Sequence, residues 1–383
     1  MRKRDPRSSA LRLIAAPWCA AKLISLLAAV LTVWTTRDNP GFPTWDEIGS
    51  HLNQWDSQSY VKIATLGYPA TTTDPHTVYL DGFFPGYPML VRLGGYFTGD
   101  LVMAGLLLSA LFEGVALYYI ARLVIAERDA GSARFVVWLF ALWPFAFFLT
   151  GVYTESTFLA AAAASLYYAR QGDTPRATLS AVLACSVRVT GIALVPALAW
   201  ELYSRRRATP SNRRQTLPLQ ARDWALIGVI PAPMLAYCVY QQVHAHDFFA
   251  YLTAQSSASF NHHLAPPWVG FWRTFGQVRG NPSYTFTFEV IFGALGAVLC
   301  VALWLHPKFP RTLAIYCTGV FLVATSLDIW LSVPRYELAM FPALLFISDI
   351  TRRRLELRAA IIGVSSALMG LGTALFTSGR WLG

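Results

Sequence analysis

Apolar residues in this chain arrive in continuous runs of roughly 15–25, the length that crosses a bilayer's roughly 30 Å hydrocarbon core as helix. The runs do not alternate apolar with polar, which excludes an outer-membrane barrel. Hydrophobic residues make up 55% of the sequence and charged ones only 14%, against about 25% charged in a soluble domain. That leaves too little polar surface for a soluble globule and excludes a disordered protein and a secreted disulfide scaffold. The expected fold class is an all-α polytopic membrane protein.

The net charge of +10 comes almost wholly from arginine, since only Lys3, Lys22, Lys62 and Lys308 are lysines. These charges flank the apolar runs, so they mark topology and meet lipid headgroups rather than nucleic acid. An arginine- and alanine-rich, lysine-poor sequence points to a GC-rich bacterial genome. The five cysteines, Cys19, Cys185, Cys238, Cys300 and Cys317, all sit inside apolar stretches with no C-x-x-C spacing. They read as small buried hydrophobes, not as disulfides or metal ligands.

Candidate spans are 12–34, 101–125, 135–149, 154–170, 176–201, 224–243, 284–305, 311–331, 336–350 and 358–377, separated by two long intervals, 36–100 and 244–283. The basic N-terminus resembles a signal peptide, but its apolar run is too long and contains Lys22, so it is expected to be an uncleaved first helix starting in the cytoplasm. Ten simple crossings would put Arg205, Arg206, Arg207, Arg213 and Arg214, and later Arg352–Arg354, outside, against the positive-inside bias. Treating 176–201 as a hairpin broken near Arg188-Val189-Thr190-Gly191 returns every basic loop to the cytoplasm. The expectation is therefore about eleven transmembrane or half-membrane helices forming one integral-membrane unit over 1–383, with both long intervals on the outer face.

Ionisable groups inside spans are costly and are usually paired or functional. Lys22 and Glu113 share a depth and are expected to pair structurally. Glu155, Arg188, Glu289, Asp328 and Arg335 all fall near the outer ends of their segments. Singly, each reads as an interfacial anchor or cap; together they suggest the floor of a polar cavity.

In the first interval, Asn53–Gly67 reads as one short amphipathic helix, with Tyr60, Ile63 and Ala64 on one face and Gly67 as its stop. Asp56 lies in the first turn, where the helix dipole favours a carboxylate. It is either a capping acid or a general base at the membrane rim. Asp46, in a second Trp-Asp pair, and Asp81 compete for that role. The second interval holds Tyr251, Phe260, His262, His263, Trp268, Trp272, Arg273 and Arg279, and the paired histidines lack metal-ligand spacing.

Several of these motifs occur together in a known order. Trp55-Asp56-x-x-x-Tyr60-x-x-Ile63-Ala64-x-x-Gly67-Tyr68 and Phe83-Phe84-Pro85-x-Tyr87-Pro88 come first. Trp143-Pro144-Phe145-x-Phe147-Phe148 follows, running into Tyr153-Thr154-Glu155-Ser156. Ser186-Val187-Arg188-Val189-Thr190-Gly191 and Pro334-Arg335-Tyr336 with Phe341-Pro342 complete the series. In this order they resemble PIG-V-type mannosyltransferases, of the GT-C superfamily that uses polyprenyl-phosphate sugars. The resemblance covers about 55–342 and implies a catalytic acid in the first outer interval, which falls on Asp56. It implies a polyprenyl-phosphate sugar donor and transfer on the outer face of the cell membrane; the family's acceptor does not carry over to a bacterial composition, and a glycolipid or glycan acceptor is expected.

On that reading Arg188 and Arg335 hold the donor phosphate, Glu155 orients Arg188 or a sugar hydroxyl, and Tyr60 and Tyr336 contact the sugar. No Asp-x-Asp pair is present, so no metal or other cofactor is expected. Alternatives are a GT-C transferase of arabinose or glucose, a lipid or solute transporter, and a scaffold subunit.

Overall fold

The computed structural model describes residues 6–38, 41–208, 220–280 and 282–382, and among these it holds eighteen α-helices, four 3₁₀ turns and one isolated bridge, Leu264 to Leu327. Arg213 and Arg214 of the basic loop, and Lys3, lie outside the described residues. Helix α1 (Pro6–Thr36) opens the chain, and the first interval holds three helices, α2 (Trp45–Leu52), α3 (Asp56–Leu66) and α4 (Gly86–Thr98). Next come α5 (Leu101–Glu127), α6 (Ala130–Ala141), α7 (Glu155–Gln171), α8 (Thr174–Val187) and α9 (Leu194–Ala208). The stretch α10 (Gln220–Val229) and α11 (Ala232–His244) is bent by 44°. The second interval contributes α12 (Ala250–Ser256) and α13 (Pro267–Gly280). The chain finishes with α14 (Tyr284–Leu305), α15 (Arg311–Thr325), α16 (Val333–Tyr336), α17 (Ala343–Ile350) and α18 (Leu355–Thr377).

Each apolar segment named from the sequence carries helix. Among the described residues α1, α5, α14 and α18 are long and apolar enough to cross a membrane, and the bent α10–α11 pair makes a fifth. The two long intervals hold five helices where one was expected. That one starts at Asp56 rather than Asn53, because Asn53 caps α2 and Trp55 turns the chain at φ 57°.

Segment 176–201 divides where the sequence indicated. Asp173 caps α8 by accepting from Arg176 N at 3.1 Å, and α8 ends at an extended Arg188. The following 3₁₀ turn folds back onto α8 so closely that a Cβ on Gly191 would lie 2.7 Å from Cys185 N. At the far end Arg170 of α7 pairs with Glu127 of α5 at 2.5 Å and with Glu201 of α9 at 2.8 Å. Arg205 also reaches Glu201, at 2.8 Å. The start of α8 and the end of α9 therefore meet at one end of the bundle, and Arg188 sits at a hairpin tip. Along α7, Glu155 and Arg170 stand about 22 Å apart at 1.5 Å per residue, most of a hydrocarbon thickness.

Two further ties fix the first interval and the first span. Lys22 of α1 pairs with buried Glu113 of α5, as expected, and donates to Leu149 O at 2.9 Å and Thr150 Oγ1 at 3.1 Å. Asp81, fully buried, accepts from Gln241 Nε2 of α11 at 2.7 Å, and Tyr237 donates to its backbone oxygen at 2.9 Å. Burial pushes the Asp81 carboxyl up to about 7, against the lowering effect of the Gln241 hydrogen bond.

Lys22→Met leaves Glu113 buried without a cation and is expected to cost about 3–5 kcal/mol, read as a lower unfolding midpoint in detergent. Lys22→Met with Glu113→Leu should recover most of that loss. The folded chain keeps the Asp81 proton well above the unfolded value of about 3.9. The stability contributed by neutral Asp81 is therefore full below about pH 4 and is lost as pH rises through about 7. Asp81→Asn should flatten this dependence in melting curves recorded from pH 4 to 8.

Candidate active site

Four charged side chains form one row at the tip end of the bundle. Asp56 Oδ2 accepts from Arg335 Nη1 at 2.6 Å, Arg335 Nε donates to Glu155 Oε1, and Glu155 Oε1 also accepts from Arg188 Nη1. Arg188 Nη1 further donates to Thr154 Oγ1 at 3.0 Å, and Tyr60 meets the same hydroxyl at 3.4 Å. Three of the four charges are nearly sealed, Glu155 at 3%, Arg335 at 5% and Arg188 at 8% exposed, whereas the Asp56 side chain is 22% exposed. The row carries two positive and two negative charges.

Aromatic rings hold the cations in place. The Arg335 guanidinium carbon lies 5.3 Å from the Phe148 ring, 5.1 Å from Tyr153 and 6.0 Å from Trp381. Tyr336 carries Arg188 at 4.6 Å. Such contacts attract a cation that has been taken out of water. Tyr60 packs edge-on against Phe83 at 5.1 Å and Tyr87 at 5.3 Å, and burial raises its phenol, leaving it a neutral hydroxyl.

Local backbone geometry explains why these side chains converge. Asp56 and Glu155 are the first residues of α3 and α7, where a carboxylate meets the positive end of a helix dipole. Trp55, at φ 57°, is a non-glycine residue in the left-handed region. Its turn is held by Tyr153 donating to Gln54 O at 2.9 Å and by the Trp55–Trp381 ring contact at 5.5 Å. Ser332, at φ 79°, turns the chain into Arg335, and Glu289 accepts from Ser332 N at 2.6 Å and Val333 N at 2.9 Å. First interval and hairpin tip touch directly, since a Cβ on Gly86 would lie 2.5 Å from Ser186 O.

The row opens on a cavity of about 120 Å³ walled by Asp56, Tyr60, Phe83, Arg188, Arg335 and Tyr336. All six residues singled out from the sequence, Asp56, Arg188, Arg335, Glu155, Tyr60 and Tyr336, thus belong to one connected cluster. Two of the five charges expected on the cavity floor do not. Glu289 spends both oxygens on the turn before Arg335, and Asp328 pairs with Arg273 at 2.8 Å and accepts from His263 N at 2.9 Å. Both secure loops around the site instead, because similar depth says nothing of which way a side chain faces. The competing acids lie elsewhere: Asp46 lines a separate cavity beside Lys22, and Asp81 is bound to Gln241.

Sequence reasoning did not single out Thr154 as the hydroxyl joining Arg188 to Tyr60, nor Trp381 as a ring against Arg335. Thr154 lies within a quoted motif, beside Glu155; Trp381 carries no local signal at all. Among the described residues no three of His, Cys, Asp or Glu converge as metal ligands.

No family model matches the sequence, and no curated protein matches it. Among solved structures, an oligosaccharyltransferase from Archaeoglobus fulgidus, in complex with zinc and sulfate, is similar over 96% of this chain at TM-score 0.50 and 15% identity. The chain spans about half of that protein, covering 53% of its length. ArnT from Cupriavidus metallidurans, bound to undecaprenyl phosphate, is similar over 95% of this chain and 77% of its own, at TM-score 0.50 and 16% identity. At such identities the likeness is one of fold. Over these lengths the chain shares the multi-helix fold of both structures.

Proposed function

We propose that this chain is an inverting membrane mannosyltransferase, moving mannose from polyprenyl-phosphate mannose to a lipid-linked or glycan hydroxyl on the outer face of the cell membrane. The observation that carries the reading is the Asp56–Arg335 pair at 2.6 Å, the exposed end of a buried charged row at a cavity mouth. A fold shared with ArnT, whose structure holds undecaprenyl phosphate, supports a polyprenyl-phosphate donor. The ordered motifs resembling PIG-V-type enzymes support mannose. Arg128, Arg170 and Arg205 gather at the end opposite Asp56 and support an outward-facing site by the positive-inside bias.

Asp56 Oδ1 accepts no hydrogen bond among the described residues and is the oxygen available to take a proton. In the proposed step the acceptor hydroxyl oxygen bonds to the anomeric carbon as the bond from that carbon to the phosphate oxygen breaks. The hydroxyl proton passes to Asp56, and the bonding pair leaves with the phosphate. Arg188 Nε and Nη2 and Arg335 Nη2 make no hydrogen bond within the described chain, so each guanidinium keeps donors for the leaving phosphate. An oxocarbenium-like transition state, as in glycosidases, fits a carboxylate beside the sugar. Glu155, shared between both arginines, is a positioning residue. Guanidinium donors already face the site of the leaving phosphate, which supports metal-independent transfer.

Asp56→Asn is expected to abolish mannose transfer in membranes while expression stays normal; near-normal turnover would eliminate Asp56 as base. Removing Arg188 or Arg335 should lower kcat/KM for the donor by about 1.5–3 kcal/mol, the loss of a hydrogen bond to a charge. Transfer should persist in excess chelator. Preferential use of a glucose or arabinose donor in the same assay would replace mannose and leave the transferase reading intact.

A further inference from the structure

Beside the charged cavity lies a larger one of about 500 Å³, within the roughly 300–1,000 Å³ usual for small-molecule sites. Its walls include Tyr251, Gln255, Ser256, His262, Leu264 and Tyr336, and no Asp, Glu, Lys or Arg. The two cavities share Tyr251, Gln255, His262 and Tyr336, so the neutral chamber adjoins the Asp56 site directly.

Hydrogen-bonding capacity in this shared wall is unused. Among the described residues the side chains of Tyr251, Gln255 and Tyr336 make no hydrogen bond. His262 is 9% exposed; its Nδ1 is closed off from the chamber, and its accessible ring nitrogen, Nε2, makes no hydrogen bond among the described residues. Burial lowers the His262 pKa, keeping the imidazole neutral at ordinary pH. Yet the residue is firmly placed. His262 N donates to Gln255 O at 2.8 Å, and its ring stacks on Phe260 at 6.4 Å. Its neighbour His263 donates its backbone N–H to Asp328 Oδ1 and accepts from Asp328 N, and Arg273 anchors that carboxylate. A fixed imidazole whose accessible Nε2 has no partner leaves one polar contact to be made from the chamber side.

We infer that this neutral chamber is the acceptor subsite and that its occupant is an uncharged carbohydrate, presenting one hydroxyl toward Asp56. The assignment rests on the transferase reading above. A phosphate or acidic headgroup would find no countercharge there, since the arginines face the other cavity. A bare hydrocarbon tail would leave two phenols, an amide and an imidazole unmet, at a cost in desolvation. A polyol satisfies all four, and its C–H faces lie against Leu264, Tyr251 and Tyr336.

The test uses the full chain in detergent, with methyl α-mannopyranoside as neutral probe in saturation-transfer NMR and polyprenyl phosphate as donor-side probe. His262→Ala and Gln255→Ala should each weaken glycoside binding about tenfold, the effect of one lost neutral hydrogen bond in a desolvated site. His262→Asn, which keeps a polar side chain, should retain most of the binding. Polyprenyl phosphate, held by Arg188 and Arg335, should lose much less affinity than the glycoside in all three, although His262 and Gln255 also border its cavity, and its retained binding reports that the variants fold. Glycoside binding indifferent to these substitutions overturns the assignment, as does glycerol phosphate binding lost in its place. Wild-type chain that binds the glycoside through His262 but no polyprenyl phosphate would sink the donor reading and leave the chamber's assignment standing. Polyprenyl phosphate bound through Arg188, with no glycoside bound at all, would sink the chamber alone.

Discussion

The structure is organised around the alternating row Asp56–Arg335–Glu155–Arg188. Its members come from four separate pieces of chain, the start of α3, the short α16, the start of α7 and the α8–α9 tip, with Asp56 and Arg335 separated by 279 residues in sequence. Burying even one of these charges alone would be prohibitive, and a buried ion pair seldom gains more than the desolvation it costs. A row so placed is weak evidence for stability and strong evidence for a site. Its alternation lets each inner group sit between two of opposite sign, so that the guanidinium groups are held and still keep free donors.

The rest of the fold can be read as support for that arrangement. At the far end, Glu127, Arg170, Glu201 and Arg205 tie α5, α7 and α9 together, and Thr312 of α15 adds a 2.5 Å hydrogen bond to Glu201. Between the two polar ends, α7 runs through an almost wholly buried alanine stretch that lets α5 and α8 approach closely. The backbone turns that aim Asp56 and Arg335 pass through left-handed residues, Trp55 and Ser332. Such conformations cost of order 1–3 kcal/mol each and persist where neighbours fix them. Here the neighbours are Tyr153 and Glu289.

Much of this was legible in the sequence, for physical reasons. Long apolar runs have few alternatives to spanning helix, and the break at Arg188 followed from arginine placement and a glycine at the middle of a segment. Motif order brought Asp56, Arg188 and Arg335 into one expectation before any contact was visible. Other features were hidden. Helices α2, α4, α12 and α13 are short and mix polar with aromatic residues, so no long periodic signal marks them. Depth placed Glu289 and Asp328 with the charges of the row, although facing direction puts them on backbone amides and on Arg273. Trp381 reaches Arg335 only because α18 brings the end of the chain beside α3, which no spacing rule anticipates.

The row's exact charge balance has an evolutionary consequence. Because every member's partner is another member, a replacement at one position strands a charge at the next, and effects within the set cannot be additive. Sequences descending from this one should therefore change these four positions jointly or hardly at all, even where surrounding wall residues drift freely. Correlated substitution across so wide a gap in the chain would be the historical imprint of a contact only about one hydrogen bond long.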